Sequence, residues 1–179
     1  LLVVSGSGIQ YLGKPLSITQ SGRDLMLAID LSGSMQTPDM MVNGKALTRL
    51  EVVKKAANEF INKRTGDRLG LILFGTRAYL QTPLTFDRQT VAQMLDDATI
   101  GIAGEQTAIG DAIGLAIKQI MDYPGDSKAI ILLTDGSSNS GVLAPLEAAD
   151  LAKKEHIKIY TIGLGAGEIT MQTDRKSVV

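Results

Sequence analysis

Cysteine is absent from this chain of 179 residues, which excludes disulfides, thiolate metal sites and cysteine nucleophiles. That absence leaves the compartment open, because a periplasmic domain can also lack disulfides. Histidine is almost absent. The single His156 argues against histidine-based metal centres and Ser-His-Asp catalysis, and no structural zinc site of the His/Cys type can be built. A charge excess is missing too: 18 basic residues face 19 acidic ones, with no long basic stripe, so nothing points to nucleic acid. No stretch reaches the roughly 18 apolar residues that a membrane span needs. The chain opens on Leu1-Leu2-Val3-Val4 without an initiator Met. Those residues read either as the tail of a removed transmembrane helix or as a short apolar edge segment.

What is present suits one compact domain with a real core, since 44% of the residues are hydrophobic. Buried-looking runs alternate with helix-period stretches, the pattern of an α/β domain with a mostly parallel sheet. The first strand is expected over Leu25 to Leu31, where apolar side chains do not alternate with polar ones, as in a central strand covered on both faces. A polar loop follows. Leu50, Val53, Ala57, Phe60 and Ile61 then recur at helical spacing, predicting a helix from Leu50 to Lys63. Further strands are expected over Arg68 to Gly75, Ala78 to Gln81, Lys128 to Thr134 and Ile157 to Ile162. The turn between the first two of these is too short for a helical crossover, so that pair reads as antiparallel. Helices are expected over Thr90 to Ala98 (begun by Asp87), Ala108 to Met121, and Ala144 to Glu155 with Pro145 in its first turn. The expected architecture is a Rossmann-like, doubly wound, mostly parallel sheet with one short antiparallel edge strand and helices on both faces. Residues 168–179 read as polar and irregular, and a last strand and helix look absent.

Two of the central strands end in an acid. "LMLAID" ends in Asp30 and "IILLTD" in Asp135, and each acid is followed by small residues, Leu-Ser-Gly-Ser and Gly-Ser-Ser-Asn-Ser. Ligands of open parallel sheets bind past the carboxyl ends of the strands, where strand order reverses. A third loop, ending in Thr107, enters the helix before the second of these strands and opens onto the same edge. Two aspartates and several hydroxyls offer hard oxygen ligands without nitrogen or sulfur. Such a set suits Mg2+, with Mn2+ or Ca2+ as alternatives. Ser32 and Ser34, two apart on one turn, can both face one ion.

"DLSGSM", Thr107 in "GEQTAIGDAI" and Asp135 in "LLTDGSSNSG" together resemble the three-part metal-ion-dependent adhesion site (MIDAS) of von Willebrand factor A domains. The resemblance covers nearly all of Gly22 to Gly165. It implies that Ser32 and Ser34 coordinate the ion directly and that Thr107 binds directly in one state and through water in another. Asp30 and Asp135 are implied to act mostly through water and hydrogen bonds. It also implies a protein partner whose acidic side chain completes the coordination. "GRDLMLAIDLSGSM", "TRLEVVKKAANEFI" and "GDRLGLILFG" are similar to the BatA/BatB group of bacterial aerotolerance proteins. That likeness implies anchoring in the bacterial inner membrane with this domain on the periplasmic side. A functional link to a MoxR-type AAA+ ATPase and to other Bat proteins is implied as well. Residues 1–21 then serve as a membrane-proximal linker and 22–167 as the A domain.

Several residues have plainer readings. Asp30 or Asp135 alone could cap a turn or helix. Thr107 could be an N-cap, a ligand or both. Asp111, one turn into the same helix, could favour the helix N-terminus or stand behind the metal ligands, and the structural role is the one expected. Met35, Met40 and Met41 mark either an exposed contact surface or local loop packing. "GLGAGE" is read as a turn rather than a nucleotide loop, and Gly44-Lys45 does not complete a phosphate loop. His156 is expected at the surface or at a cap. The rival class is a Mg2+-dependent phosphoryl-transfer enzyme of the haloacid-dehalogenase type. It needs a second carboxylate at Ser32, for proton transfer beside the nucleophile. The expectation is therefore a binding module, not an enzyme.

Overall fold

A computed structural model describes residues 22–136, 138–165 and 168–172. The expected linker 1–21 and the tail 173–179 lie outside the described residues. The strands are β1 (Asp24–Asp30), β2 (Met40–Val42), β3 (Lys45–Leu47), β4 (Arg68–Phe74), β5 (Ala78–Thr85), β6 (Lys128–Thr134), β7 (Lys158–Gly165) and β8 (Glu168–Gln172). The helices are α1 (Arg49–Lys63), α2 (Arg88–Asp96), α3 (Ile109–Met121) and α4 (Pro145–Lys154).

Six strands form one sheet in the order β5-β4-β1-β6-β7-β8. The inner four run parallel, and β5 and β8 pair antiparallel at the two edges. Every residue of β1 is buried. Successive strand side chains point to opposite faces, and β1 uses both. Leu25, Leu27 and Ile29 join the layer of α1 and α2, with Val53, Ile61, Val91 and Leu95. Met26 and Ala28 join the layer of α3 and α4, with Ile113, Ile117, Ala148 and Ala152. This two-sided burial is why β1 has no polar alternation. At its start Arg68 forks onto Asp24, Nε to Oδ1 at 2.6 Å and Nη2 to Oδ2 at 2.9 Å. The two residues are also register partners, so the fork pins β1 against β4.

Five expectations are corrected. The sheet has two antiparallel edge strands, not one. Residues 168–172, expected to be irregular, form β8. Only two residues separate β7 from β8, far fewer than a parallel crossover needs, so the chain doubles back. β7 runs on to Gly165, through glycines assigned to a turn. β5 extends past Gln81 to Thr85, because an edge strand tolerates Pro83, and the pairing with β4 is irregular there. The polar loop after β1 contains a hairpin, β2–β3. Asn43 and Gly44 both have positive φ, 52° and 77°, as a two-residue type I′ turn demands.

The helices begin where their chemistry allows. Thr48 and Glu51 form a reciprocal capping box at α1. Asp87 caps α2 as expected, and Pro145 sits in the first turn of α4. Thr107 does not cap: the residue before α3 is Ala108, and no side-chain cap bond is made there. Asp111 serves structure by holding a loop, a role different from the one expected at the helix N-terminus. Its carboxylate accepts from the backbone N–H groups of Val142 and Leu143, fastening the β6–α4 loop to α3. His156 is exposed, with φ of 56°, just past the end of α4. An open apolar cavity of about 570 Å³ lies between α1 and the β6–β7 side of the sheet, bordered by Phe60, Ile131 and Ile162. Among the described residues no helix is long and apolar enough to cross a membrane.

The β6–α4 loop presses so closely on α3 that two glycines there have different tolerances. A Cβ on Gly110 would lie 1.9 Å from the Leu143 carbonyl oxygen, whereas one on Gly114 would meet only the end of the Leu143 side chain, at 2.9 Å. Alanine gains roughly 1 kcal/mol of helix propensity over glycine, and a backbone clash costs about 1–3 kcal/mol. Gly110→Ala is expected to lose up to about 2 kcal/mol of stability in urea unfolding, and Gly114→Ala to be neutral or stabilising. Equal effects would show that the loop is not held against α3.

Candidate metal centre

The sheet brings the two acid-ended strands together. The chain leaves β1 outward through β4 and β5, then returns to β6 on the other side of β1. Strand order therefore reverses between β1 and β6, where such sheets open a crevice at their carboxyl edge. Asp30 closes β1, and Asp135 directly follows β6.

Asp30 has no exposed surface. Its Oδ1 accepts from the Ser32 backbone N–H at 2.8 Å and its Oδ2 from the Thr134 hydroxyl at 2.6 Å. The first bond turns the chain back at once, into a 3-10 turn over Gly33–Gln36. That turn sets the Ser32 and Ser34 hydroxyls 3.2 Å apart. Ser34 donates to Asp135 Oδ1 at 2.8 Å. The other oxygen of Asp135 accepts from Arg49 Nη1 at 2.6 Å, and Arg49 also grips Asp39. Four of the five expected ligands thus stand in one hydrogen-bonded chain, from Asp30 through Ser32 and Ser34 to Asp135.

Thr107, the fifth, is buried and reaches the group through its backbone. Its N–H donates to Asn139 Oδ1 at 2.8 Å, and its carbonyl accepts from the Asn139 N–H and the Ser138 hydroxyl. Ser138 and Asn139 lie just after Asp135, so one loop carries the acid and clamps the threonine. The Thr107 loop also crosses the end of β4. Ala108 N–H donates to the Gly75 carbonyl, and a Cβ on Gly75 would lie 2.4 Å from the Gly104 carbonyl oxygen, so only glycine fits there. The Gly33 N–H donates to the Glu105 carbonyl, joining this loop to the serine turn.

Burial pushes the Asp30 carboxyl above its ordinary value of 3.8. Hydrogen bonds from Thr134 and Ser32 oppose that shift, and the charge of Asp135 adds to it. Asp39 moves the other way, held low chiefly by its bond to Arg49. A buried carboxylate beside a second acid is a poor arrangement without a cation, and hard oxygen donors suit a hard divalent ion. Among the described residues, no group of three or more His, Cys, Asp or Glu side chains could hold a metal ion; here hydroxyls stand beside two carboxylates.

Arg49, Asp39, Thr134, Ser138 and Asn139 were not among the expected site residues. The run "GSSNSG" signalled a tight turn but not its grip on Thr107. Nothing local marks Arg49, which meets Asp135 across 86 positions. The three clustered methionines divide: Met35 and Met40 are buried, and Met41 is 67% exposed.

Residues 25–137 match the model of the von Willebrand factor type A domain family. Among solved structures, a membrane-spanning protein from Vibrio fischeri is 54% identical, with a TM-score of 0.56 over 82% of this chain and 72% of that one. BatB from Bacteroides thetaiotaomicron is 29% identical, with a TM-score of 0.72 over 86% and 77%. Proximal thread matrix protein 1 from the mussel byssus, with zinc occupying its MIDAS motif, is 28% identical, with a TM-score of 0.67 over 83% and 37%. The chain spans half or less of the length of the curated relatives it matches: one of them, an uncharacterized protein of Borreliella burgdorferi, 30% identical, is covered over 48% of its length and 94% of this chain.

The raised Asp30 carboxyl has a consequence for stability. Ionising it costs folding free energy, a penalty absent below pH 3.8 and fully present above the raised folded value. In Asp30→Asn the carbonyl can still accept from Ser32 N–H while the amide donates to the Thr134 oxygen, and no charge is buried. The variant is expected to melt higher than the unaltered protein in chelator at pH 7. A lower melting temperature would mean that the ionised carboxylate is a net stabiliser.

Proposed function

The chain belongs to the von Willebrand factor type A domain family, and from that premise we propose that it is a metal-ion-dependent protein-interaction module rather than an enzyme. Asp30, Ser32, Ser34, Thr107 and Asp135 would hold the ion, Mg2+ first, with Mn2+ or Ca2+ as alternatives. The carrying observation is the hydrogen-bonded chain from Asp30 to Asp135 at the reversal of strand order, with paired serine hydroxyls between them. Three of the five donors are neutral hydroxyls. An ion held mostly by neutral oxygens and water keeps positive charge for one more anionic ligand. A carboxylate from an acidic residue of a partner protein fits that need. The zinc-occupied MIDAS motif of the mussel protein supports a divalent ion at such a site.

Phosphoryl transfer of the haloacid-dehalogenase type fits poorly. Its nucleophilic aspartate must reach a substrate, yet Asp30 is fully buried and both its oxygens accept hydrogen bonds. Ser32 stands where the second carboxylate would be, and a serine hydroxyl cannot exchange a proton near neutral pH as a carboxylic acid does.

Likeness to BatB and to a membrane-spanning protein supports a place in a membrane-anchored bacterial protein. In that setting the domain, expected over residues 22–167, takes in β8 as well and stands on the periplasmic side of the inner membrane, and residues 1–21 lead to the anchor. Other Bat proteins and a MoxR-type AAA+ ATPase are the functional neighbours this reading implies.

Isothermal titration of Mg2+ or Mn2+ into chelator-treated protein tests the site. One saturable event is expected, abolished in Asp30→Ala and weakened by about 10-fold or more in Ser34→Ala. Unaltered protein that takes up neither ion at millimolar concentration would sink the proposal.

A further inference from the structure

Arg49 belongs to none of the three motif segments, yet its guanidinium touches the candidate ion site. It is the first residue of α1, and its side chain is 19% exposed. Nη1 donates to Asp135 Oδ2 at 2.6 Å. On the opposite side, Nε and Nη2 donate to the Asp39 carboxylate, at 3.0 Å to Oδ1 and 2.5 Å to Oδ2. The Arg49 backbone N–H also donates to the Thr37 carbonyl. Both ends of the residue therefore tie α1 to the loop that follows β1.

We propose, resting on the ion-site reading above, that Arg49 is a positioning residue of that site. Its guanidinium grips Asp135 by Oδ2 and leaves Oδ1 beside the Ser34 hydroxyl, on the side of the serine pair. Asp39 holds the guanidinium in turn. Two effects of opposite sign compete here. A guanidinium near a bound cation repels it, so on charge alone its removal should tighten ion binding. A carboxylate freed from its holder must be ordered again when the ion binds, so its removal should loosen binding. The second effect dominates because Asp39 neutralises the guanidinium through two bonds, leaving little net charge to act on the ion. A planar fork can serve two carboxylates at once, as an ammonium group cannot with the same geometry. The same contacts link the ion site to the segment leading into β2, where Met41 is exposed.

The test is calorimetric titration of Mn2+ into chelator-treated protein, for the unaltered chain, Arg49→Met, Arg49→Lys, Asp39→Asn and the Arg49→Met/Asp39→Asn pair. Circular dichroism checks that each is folded at the working temperature. Arg49→Met should bind Mn2+ about 10-fold more weakly, within the range typical of groups that orient a metal ligand. Arg49→Lys, which keeps the charge but not the fork, should recover only part of that loss. Asp39→Asn should weaken binding less, and the double variant should be no worse than Arg49→Met, because Asp39 acts only through Arg49. Unchanged or tighter binding in Arg49→Met, or full recovery in Arg49→Lys, overturns the positioning role while leaving the ion site intact. Failure of the unaltered protein to bind overturns both. If Arg49→Met does not fold, Arg49→Lys and Asp39→Asn carry the same comparison: affinity equal to the unaltered protein in both refutes the proposal.

Discussion

A carboxylate with no contact with solvent, at the carboxyl end of the central strand, is the constraint on which the rest of this structure depends. Asp30 is tolerable there only because both of its oxygens are satisfied. One bond comes from the Ser32 amide, so β1 must stop and turn within two residues. The other comes from Thr134, so β6 must lie directly beside β1 in one register, with Leu133 opposite Ile29. A slip of one residue would swing Thr134 to the other face and leave a buried charge half-paired. The acid therefore specifies strand neighbours as well as a local turn.

The same constraint shapes the loops. Because β1 is covered on both faces, its carboxyl end is the place where a polar group can approach solvent. The loops gathered there are tied to one another by hydrogen bonds. Asn139 and Ser138 hold Thr107, Gly33 holds the Glu105 carbonyl, and Asp111 holds Val142 and Leu143. Most of these bonds run from a side chain to a backbone group. They fix loop shape without consuming the hydroxyls of Ser32 and Ser34, which face each other.

Charge is distributed to the same end. Asp30 is buried and disfavours its own ionisation. Asp135 is shared between a serine and an arginine, and that arginine is balanced by Asp39. Within the proposed function this leaves a modest negative field for a cation and an outer face on which the ion can take a foreign carboxylate. A site ringed by ionised acids would bind the cation more strongly and leave it less able to attract another anion. Arginine at the junction suits a structural pair of this kind, since its planar fork can hold two acids in fixed directions.

The sequence by itself determined the layered α/β fold, the parallel core, the placement of Asp30 and Asp135 at neighbouring strand ends, and the start of α1 to α4 within two residues. These follow from local patterns: unbroken apolar strands, helical spacing, acids followed by small residues. The hairpin β2–β3 was not read from the sequence: Asn43-Gly44 is a strong two-residue turn signal, but the surrounding segment is polar and its strands are short, so it passed for a loop. Tertiary structure alone decided the rest. Pro83 halts a strand pattern in sequence, yet an edge position absorbs it. β8 pairs because β7 offers it an open edge, not because its own residues demand a strand. Thr107, read as a cap, a ligand or both, does not cap α3; the loop after Asp135 takes that place, with Ser138 Oγ accepting the Ile109 N–H. Arg49 and Asp135 meet only when α1 packs beside β6's end, and no spacing along the chain encodes a contact made across the fold.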